Sequence, residues 1–371
     1  MLKKAYTLTE PVELARRNAR KSYNYAVLTT ASASDTDGYP GPFDGSDATV
    51  CVITRGNDCD KSMITNNASL MLTSITLDGD GHRDGREVDH VVVCDGGIVN
   101  NAMAAAMLTI DEGATLRNSW VEGNGGAVNA IASTRVYLTG GTISGNSASG
   151  FGGAIYTAGT LNVSGNARIG EANKGNRATN GGAVYVAAGA MVEMTGGEIS
   201  GNQAAKGGAV YVESGATVSL EDTGAGNAFT GNTATSDGAG IYLADGATLR
   251  LSGNPSFSNN LSETTLPDNA KNGGEDYTAA RQDIYLAGVA SEGEALTSIT
   301  LTDNLSDTIP AGSIWVWAEG EDNTAPNHYY MLKQFAVSTP LERWTTRLSA
   351  VMMVILPVAV SVLVILNMGL A

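Results

Sequence analysis

Gly181-Gly182-Ala183-Val184-Tyr185-Val186 decides the fold, because close copies of this phrase recur along the chain. Each copy joins small residues, usually a glycine pair, to a β-branched residue that in most copies is followed by tyrosine. The other copies are Gly125–Val128, Gly152–Tyr156, Gly207–Val212 and Gly238–Leu243, with a fainter echo at Asp283–Leu286. Four of the tyrosines, at positions 156, 185, 211 and 242, are 29, 26 and 31 residues apart. A near-constant period in this range predicts stacked supersecondary units.

One repeat, residues 182–207, contains three short strand candidates separated by glycine-rich corners: Val184–Val186, Met191–Met194 and Glu198–Ser200. The second candidate alternates apolar and polar residues in each repeat, so one side of that strand is expected to face inward. Its apolar pairs are Val136/Leu138, Leu161/Val163, Val192/Met194, Val218/Leu220 and Leu249/Leu251. Pairing each strand in parallel with its equivalent in the next repeat predicts an all-β, three-sided, single-stranded parallel β-helix that rises about 4.8 Å per turn.

A second repeated signal is a Ser/Thr-Gly-Asn tripeptide at the corners. It occurs at Ser144–Asn146, Ser164–Asn166, Ser200–Asn202, Thr230–Asn232 and Ser252–Asn254. Glycine tolerates positive φ, and asparagine bonds to nearby backbone groups. Asparagines stacked at one corner are therefore expected to bond to one another, as in cross-β ladders. The alternative is a set of unrelated hairpin turns.

Together these phrases resemble the right-handed parallel β-helix repeats of large surface proteins from anaerobic bacteria. They are also similar to the Gly-Gly-Ala-Ile and Phe-x-x-Asn repeats of chlamydial polymorphic outer-membrane proteins. Phe229–Asn232 and Phe257–Asn260 match the second pattern fully, whereas other copies carry Ile or Val in place of Phe. The resemblance spans roughly residues 65 to 316. It implies a right-handed β-helix displayed on a surface, and it brings no catalytic residues with it.

Charge and cysteine content argue against nucleic-acid binding and against a disulfide-based fold. The formal net charge is −16, and six basic residues lie within the first 21 positions, so the rest of the chain is still more acidic. A large acidic surface repels nucleic acid, and a nucleic-acid partner is not predicted. The three cysteines are too few for a disulfide framework. A Cys51–Cys59 bridge and free half-buried thiols both remain open.

The chain divides into four predicted segments. Residues 1–48 form a basic segment and linker, with a short helix candidate at Glu13–Tyr23 and no apolar stretch typical of a secretory signal. Residues 49–320 form the β-helix, whose first turns are degenerate and whose closing cap contains Trp315 and Trp317. A carbohydrate-stacking role is the alternative for these two tryptophans. Residues 321–347 form a juxtamembrane linker, and residues 348–371 form a transmembrane helix.

The predicted transmembrane segment has 24 residues without a charge, about 36 Å as a helix and enough to cross a bilayer. Pro357 within it is tolerated in membrane helices. Arg343 and Arg347 precede it and no charge follows it, so the positive-inside rule would place the β-helix side in the cytoplasm. We nevertheless expect a membrane anchor that holds the β-helix outside the cell, because large domains are translocated largely regardless of charge. The alternative for this segment is a buried hydrophobic tail.

The densest polar cluster, Asp78–Glu87, begins with an Asp-x-Asp pair. His82 stands where a calcium loop needs a third oxygen ligand and no Glu closes the loop, so a solvated insertion is favoured over a calcium site in the Asp78–Asp84 loop. Glu193 and Glu198 share one turn and have no evident acidic partner on the next. No catalytic, cofactor-binding or metal-binding residue is predicted, and no cofactor.

These patterns predict a bacterial cell-surface protein that acts as an adhesin or structural stalk without catalysis. It would extend a Tyr- and Asn-lined face for weak multivalent contact with glycans or proteins of a host or cell surface. The alternative is a polysaccharide lyase or glycoside hydrolase on a pectin-lyase-like β-helix. That function would need acidic residues clustered on adjacent turns of a groove.

Overall fold

The computed structural model describes residues 5–14, 25–30, 50–56, 61–80, 97–221, 226–263, 280–287, 297–305, 314–318 and 328–331. These residues form short strands and turns, and they contain no helix. The strands of successive coils pair in parallel and build three long sheets of 11, nine and nine strands. The architecture is the parallel β-helix that the repeat predicts. The right-handed sense of its coil stays a prediction.

We call the three long sheets face 1, face 2 and face 3, in the order in which one coil visits them. Face 1 comprises β2 (Val12–Leu14), β5 (Ile64–Asn66), β8 (Val99–Asn101), β12 (Val128–Ala130), β16 (Ile155–Thr157), β19 (Val184–Val186), β23 (Val210–Val212), β27 (Ile241–Leu243), β32 (Ile284–Leu286), β34 (Trp315–Ala318) and β35 (His328–Met331). Face 2 comprises β3 (Tyr25–Thr29), β6 (Ser69–Thr73), β9 (Met107–Ile110), β13 (Arg135–Leu138), β17 (Thr160–Val163), β20 (Met191–Met194), β24 (Thr217–Glu221), β28 (Thr248–Gly253) and β33 (Ser298–Leu305).

Face 3 carries the third strand of each coil. It comprises β1 (Ala5–Leu8), β4 (Cys51–Arg55), β7 (Ile75–Asp78), β10 (Thr115–Arg117), β14 (Thr142–Ser144), β18 (Arg168–Ile169), β21 (Gly197–Ser200), β25 (Asn227–Thr230) and β29 (Ser256–Ser258). Short strands on some coils add a fourth side between face 3 and the next face 1 strand. They are β11 (Trp120–Val121) with β15 (Ser147–Ala148), and β22 (Gln203–Lys206), β26 (Thr233–Asp237), β30 (Leu261–Ser262) and β31 (Ala280–Arg281). The sequence pattern did not predict this fourth side.

Register places equivalent residues of successive coils side by side. Tyr185 pairs with Tyr156 of the coil before and Tyr211 of the coil after. On face 2, Val192 and Met194 are 4% and 1% exposed and lie between their equivalents on both neighbouring coils. The predicted internal ladder of apolar pairs is therefore present. Each such buried side chain contributes about 1.5–3 kcal/mol relative to an exposed one.

The glycine pair that opens each face 1 strand has two separate causes. Gly181 has a φ of 66°, a left-handed conformation that costs an L-residue strain. Gly182 has an ordinary φ, but a Cβ on it would lie 2.3 Å from the backbone oxygen of Gly208 in the next coil. The first glycine therefore permits the turn, and the second permits one coil to approach the next.

The strand ladders begin before residue 49, where the sequence analysis placed the start of the β-helix. β1, β2 and β3 pair in parallel with β4, β5 and β6, so they are strands of a coil within the predicted basic segment. Val12–Leu14 is a strand, which corrects the start of the helix candidate Glu13–Tyr23; residues 15–24 lie outside the described part. Pairing with a preformed neighbouring coil outweighs the local helical pattern, as tertiary context commonly does.

At the other end, face 1 continues past residue 320. β34 pairs in parallel with β32, and β35 pairs antiparallel with β34, so a reversed strand follows the last parallel one. β35 lies within the predicted linker 321–347, most of which is outside the described residues. The predicted transmembrane segment, residues 348–371, also lies outside them. Within the residues that are described, no helix is long and apolar enough to span a membrane.

Candidate functional site

The corner between face 3 and the short fourth side holds a ladder of five fully buried asparagines, which we call the asparagine ladder. Its members, all 0% exposed, are Asn146, Asn176, Asn202, Asn232 and Asn260. The amide nitrogen of each of the first four donates to the Oδ1 of the next member over 2.9–3.0 Å. Each Nδ2 also donates to a carbonyl of the coil before, as Asn202 does to Ile169. The predicted corner ladder is confirmed.

Membership of the ladder differs from the tripeptide pattern. Asn166 and Asn254 carry the same Ser-Gly-Asn signal, yet both are exposed. They lie between a face 2 strand and a face 3 strand, whereas the ladder lies at the next corner. Two ladder members, Asn176 and Asn260, do not follow the tripeptide pattern. They end the sequences Lys-Gly-Asn and Ser-Asn-Asn. Two corners use one tripeptide, so local sequence alone did not separate them.

The asparagine ladder ends in a different chemical group. Asn260 Nδ2 donates over 3.0 Å to Oδ1 of Asp283, which is 0% exposed. Arg281 lies 2.8 Å from the other oxygen of this carboxylate. A carboxylate suits the last rung because it accepts from the amide before it without needing an acceptor on a further coil. Buried charge needs such pairing.

The outward side of face 1 carries a row of five stacked tyrosines, which we call the tyrosine strip: Tyr156, Tyr185, Tyr211, Tyr242 and Tyr285. Neighbouring ring centroids are 4.9–5.6 Å apart, and their ring planes differ by at most 10°. Phe151 also stacks on Tyr185, at 4.5 Å. Because the rings cover one another, Tyr185, Tyr242 and Tyr285 are only 4–6% exposed although they point away from the core.

Charged groups lie at two places along the tyrosine strip. The carboxylate of Glu213 interacts with the Tyr185 phenol, and its negative charge also acts on Tyr156 and Tyr211. Lys206 Nζ lies 3.2 Å from the Tyr242 hydroxyl and 5.0 Å from the centre of the same ring. Burial chiefly, and Glu213 next, raise the pKa of the Tyr185 phenol well above its ordinary value.

The strip and the ladder revise the predicted Tyr- and Asn-lined binding face. The ladder asparagines are inside the coil, and both ring faces of Tyr185, Tyr211 and Tyr242 are occupied by neighbouring rings. A sugar ring needs a free aromatic face to stack on, so the strip presents ring edges and hydroxyls instead. In earlier coils the same column carries Thr65, Asn100 and Asn129.

The outward side of face 2 is a more open surface. Arg135 and Arg250 are exposed, and Tyr137, Asn162 and Glu193 between them are half-buried. We call these five residues the face 2 row. Tyr137, Asn162, Glu193 and Arg250 stand in one column of the parallel register, which passes through Ser219. Arg135 lies two residues before Tyr137, in the neighbouring outward column. The row therefore repeats polar side chains at the strand spacing of about 4.8 Å.

Carboxylates singled out from the sequence have polar or basic partners. Glu193 accepts from Asn162 over 2.6 Å, and Glu198 lies 3.4 Å from Arg168. Asp78 binds Arg117 over 2.8 Å and also accepts from Asn118. Among the described residues no cluster of three or more His, Cys, Asp or Glu side chains is arranged to hold a metal ion. Asp84 lies outside that set.

Two further predictions concern cysteine and tryptophan. Cys51 is a free, half-buried thiol whose pKa is raised by burial, and Cys59 lies outside the described residues. Trp315 and Trp317 belong to β34, and Trp317 is in register with Tyr285, the last residue of the tyrosine strip. Their role as a closing cap stays a prediction.

Residues 140–158 and 228–244 match a family model. The match is to the Chlamydia polymorphic membrane protein repeat. Both segments cover the same part of a coil, from a face 3 strand through the asparagine turn to the next face 1 strand. Each contains one rung of the asparagine ladder, Asn146 or Asn232, and one ring of the tyrosine strip, Tyr156 or Tyr242. The resemblance seen in the sequence is confirmed, and the chain is a β-helix repeat protein.

No curated protein and no solved structure is significantly similar to the chain. The polymorphic membrane protein repeat describes the part of a coil that contributes to both the asparagine ladder and the tyrosine strip.

The raised tyrosine pKa values predict a loss of stability in alkali. Burial raises the pKa of Tyr156, Tyr185 and Tyr211 in the folded state, whereas phenols of the unfolded chain ionise near pH 10. Above about pH 10 the unfolded state therefore binds fewer protons than the folded state. The contribution of these phenols to stability is complete below about pH 10 and declines as the pH rises further. The urea midpoint should fall between about pH 9 and about pH 11. The midpoint should fall less in a variant in which Tyr156, Tyr185 and Tyr211 are all replaced by Phe. An equal decline in the variant and the wild type would contradict the prediction.

Proposed function

We propose that the protein is a cell-surface β-helix that acts as an adhesin or structural stalk without catalysis. The observation that carries the proposal is the match of two coils to a repeat named for a membrane protein. The alternative, a lyase or hydrolase, needs paired acidic groups, and Glu193 and Glu198 instead have amide and guanidinium partners. In this proposal residues 348–371 hold the chain to the membrane. Cell fractionation of the chain with and without these residues tests this, because only the longer chain should be found in the membrane fraction.

The face 2 row is the contact surface in this proposal. Its exposed guanidinium groups, Arg135 and Arg250, are separated by Tyr137, Asn162 and Glu193 along one sheet. Arginine and tyrosine are enriched where proteins bind partners, because they combine large contact area with hydrogen bonds. Weak contacts repeated along a rigid sheet add through effective concentration. The partners are glycans or proteins of a host or cell surface.

The expected result is that a face 2 variant loses adhesion while its fold is kept. Replacing Arg135, Tyr137 and Arg250 together by Ala should reduce retention of the full chain on immobilised cell-surface glycans and proteins by about tenfold or more, since each anchoring contact contributes more than about 1 kcal/mol. Arg168→Ala, which removes an exposed arginine of face 3, is the matched control and should retain wild-type binding.

The same samples are assayed for reducing ends and for unsaturated sugar products. Turnover of any polysaccharide would overturn the non-catalytic proposal. Retention that is equal in the face 2 variant and the wild type would place adhesion elsewhere, and absence of retention would leave the structural stalk as the function.

A further inference from the structure

The tyrosine strip brings oxidisable side chains closer together than any binding function of its hydroxyls requires. Tyr185 and Tyr211 have ring centroids 5.0 Å apart and ring planes that differ by 2°, the most parallel contact of the strip. The strands that carry them are paired in register, so the two phenols are held in this geometry. Reactions between groups fixed at contact distance proceed with large effective concentrations.

We propose that the tyrosine strip is a site of oxidative coupling, in which a one-electron oxidant links Tyr185 to Tyr211 as dityrosine and so joins two successive coils covalently. Each phenol loses one electron to the oxidant and one proton from its hydroxyl. The two phenoxyl radicals form a carbon–carbon bond between their ortho carbons. Each ortho hydrogen then leaves as a proton while a proton returns to each oxygen. The net loss is two electrons and two protons, and two equivalents of the oxidant accept one electron each.

Charges along the strip select this pair over the next one. The carboxylate of Glu213 interacts with the Tyr185 phenol, so a proton acceptor is nearby when that ring is oxidised. Its negative charge also favours loss of an electron from nearby rings. Lys206 lies 5.0 Å from the centre of the Tyr242 ring, and a positive charge there opposes loss of an electron. Lys206 also acts on Tyr211, ahead of Glu213, so the charges favour the first radical on Tyr185. Distance then selects its partner, because the Tyr211 ring lies 5.0 Å from Tyr185 and the Tyr156 ring 5.6 Å.

Burial directs the reaction within the molecule. Tyr185 is 5% exposed, and its ring contacts Phe151, Tyr156 and Tyr211. A radical on this ring meets a neighbouring phenol before it meets a second molecule. The product should accordingly be intramolecular. Tyr137 on face 2 provides a tyrosine outside the strip for comparison.

The test treats the full chain with a photogenerated one-electron oxidant and maps cross-linked peptides by mass spectrometry. A Tyr185–Tyr211 dityrosine should dominate, with blue dityrosine fluorescence in the monomer fraction. Tyr211→Phe keeps a stacked ring but cannot couple, and it should lower that fluorescence about tenfold or more. Tyr137→Phe should leave it unchanged.

Lys206→Ala should raise the share of a Tyr211–Tyr242 product, because the opposing charge is gone. Unfolding in urea before oxidation should abolish the Tyr185–Tyr211 product. Intermolecular products alone, tyrosine loss without dityrosine, or equal yields in Tyr211→Phe and the wild type would each overturn the proposal. These readouts are independent of adhesion, so their failure would not affect the proposed function.

Discussion

Asn202→Ala is expected to lower the free energy of unfolding by about 3–5 kcal/mol, because several buried polar groups lose their partners at once. Asn202 Oδ1 accepts from both the backbone nitrogen and Nδ2 of Asn176, each over 2.9 Å. Its Nδ2 donates to Ile169, Ser200 and Asn232. Alanine removes all of these bonds, and no water reaches a rung that is 0% exposed. Each buried group left without a partner costs about 1–3 kcal/mol.

The matched control is Asn162→Ala on face 2. Asn162 is half-buried and its Nδ2 donates to Glu193, and solvent replaces that bond when it is lost. We expect a change below about 1 kcal/mol. Urea denaturation of both full-length variants, followed by circular dichroism, gives the comparison. Equal shifts of the two midpoints would show that the asparagine ladder contributes no more than a surface amide.

Gly182→Ala is expected to destabilise the protein by about 3 kcal/mol or more, since the added methyl group has only backbone to displace. Its Cβ would lie 2.3 Å from the oxygen of Gly208 and 2.6 Å from the oxygen of Gln203. Relief requires the two coils to separate, which breaks the pairing of Val184–Val186 with Val210–Val212. Unfolding by urea and protease resistance of the full chain measure the effect.

Gly140→Ala is the same substitution at a glycine with ordinary φ and more room. The nearest atoms to its added Cβ belong to Glu112 at 3.3 Å, so a small adjustment suffices. The expected change is within about 1 kcal/mol. If Gly182→Ala were equally mild, coil-to-coil contact would not be the reason for the second glycine of the pair.

Much of the fold was accessible from the sequence because every coil repeats the same local choices. The alternation at Val192, Glu193 and Met194 places two side chains inside and one outside whatever the neighbours are. The recurrence of tyrosine at positions 156, 185, 211 and 242 places the rings in one column once parallel pairing is assumed. These inferences depend on period, which a single chain displays directly.

The candidate site was less accessible, because its character depends on distances between coils. Tyr185 was expected on an open binding face, yet its ring is 5% exposed because Phe151, Tyr156 and Tyr211 cover it. Glu213 and Lys206 carry no motif, and only the structure shows that they lie beside the tyrosine strip. Exposure and electrostatics are properties of packing, which composition does not report.

By itself the sequence determined the parallel β-helix and the corner ladder, since glycine pairs, alternating apolar pairs and Gly-Asn corners each satisfy a local backbone requirement that repeats. Only the tertiary structure decided which asparagines join the ladder, admitting Asn176 and Asn260 and leaving Asn166 and Asn254 exposed. It also decided that a coil forms before residue 49, through pairing of β1–β3 with β4–β6. The physical reason is that stacking is a contact between residues on successive coils, 26 positions apart for Asn176 and Asn202 and 35 for Asn66 and Asn101. Its outcome therefore follows from the register of whole coils rather than from any one stretch.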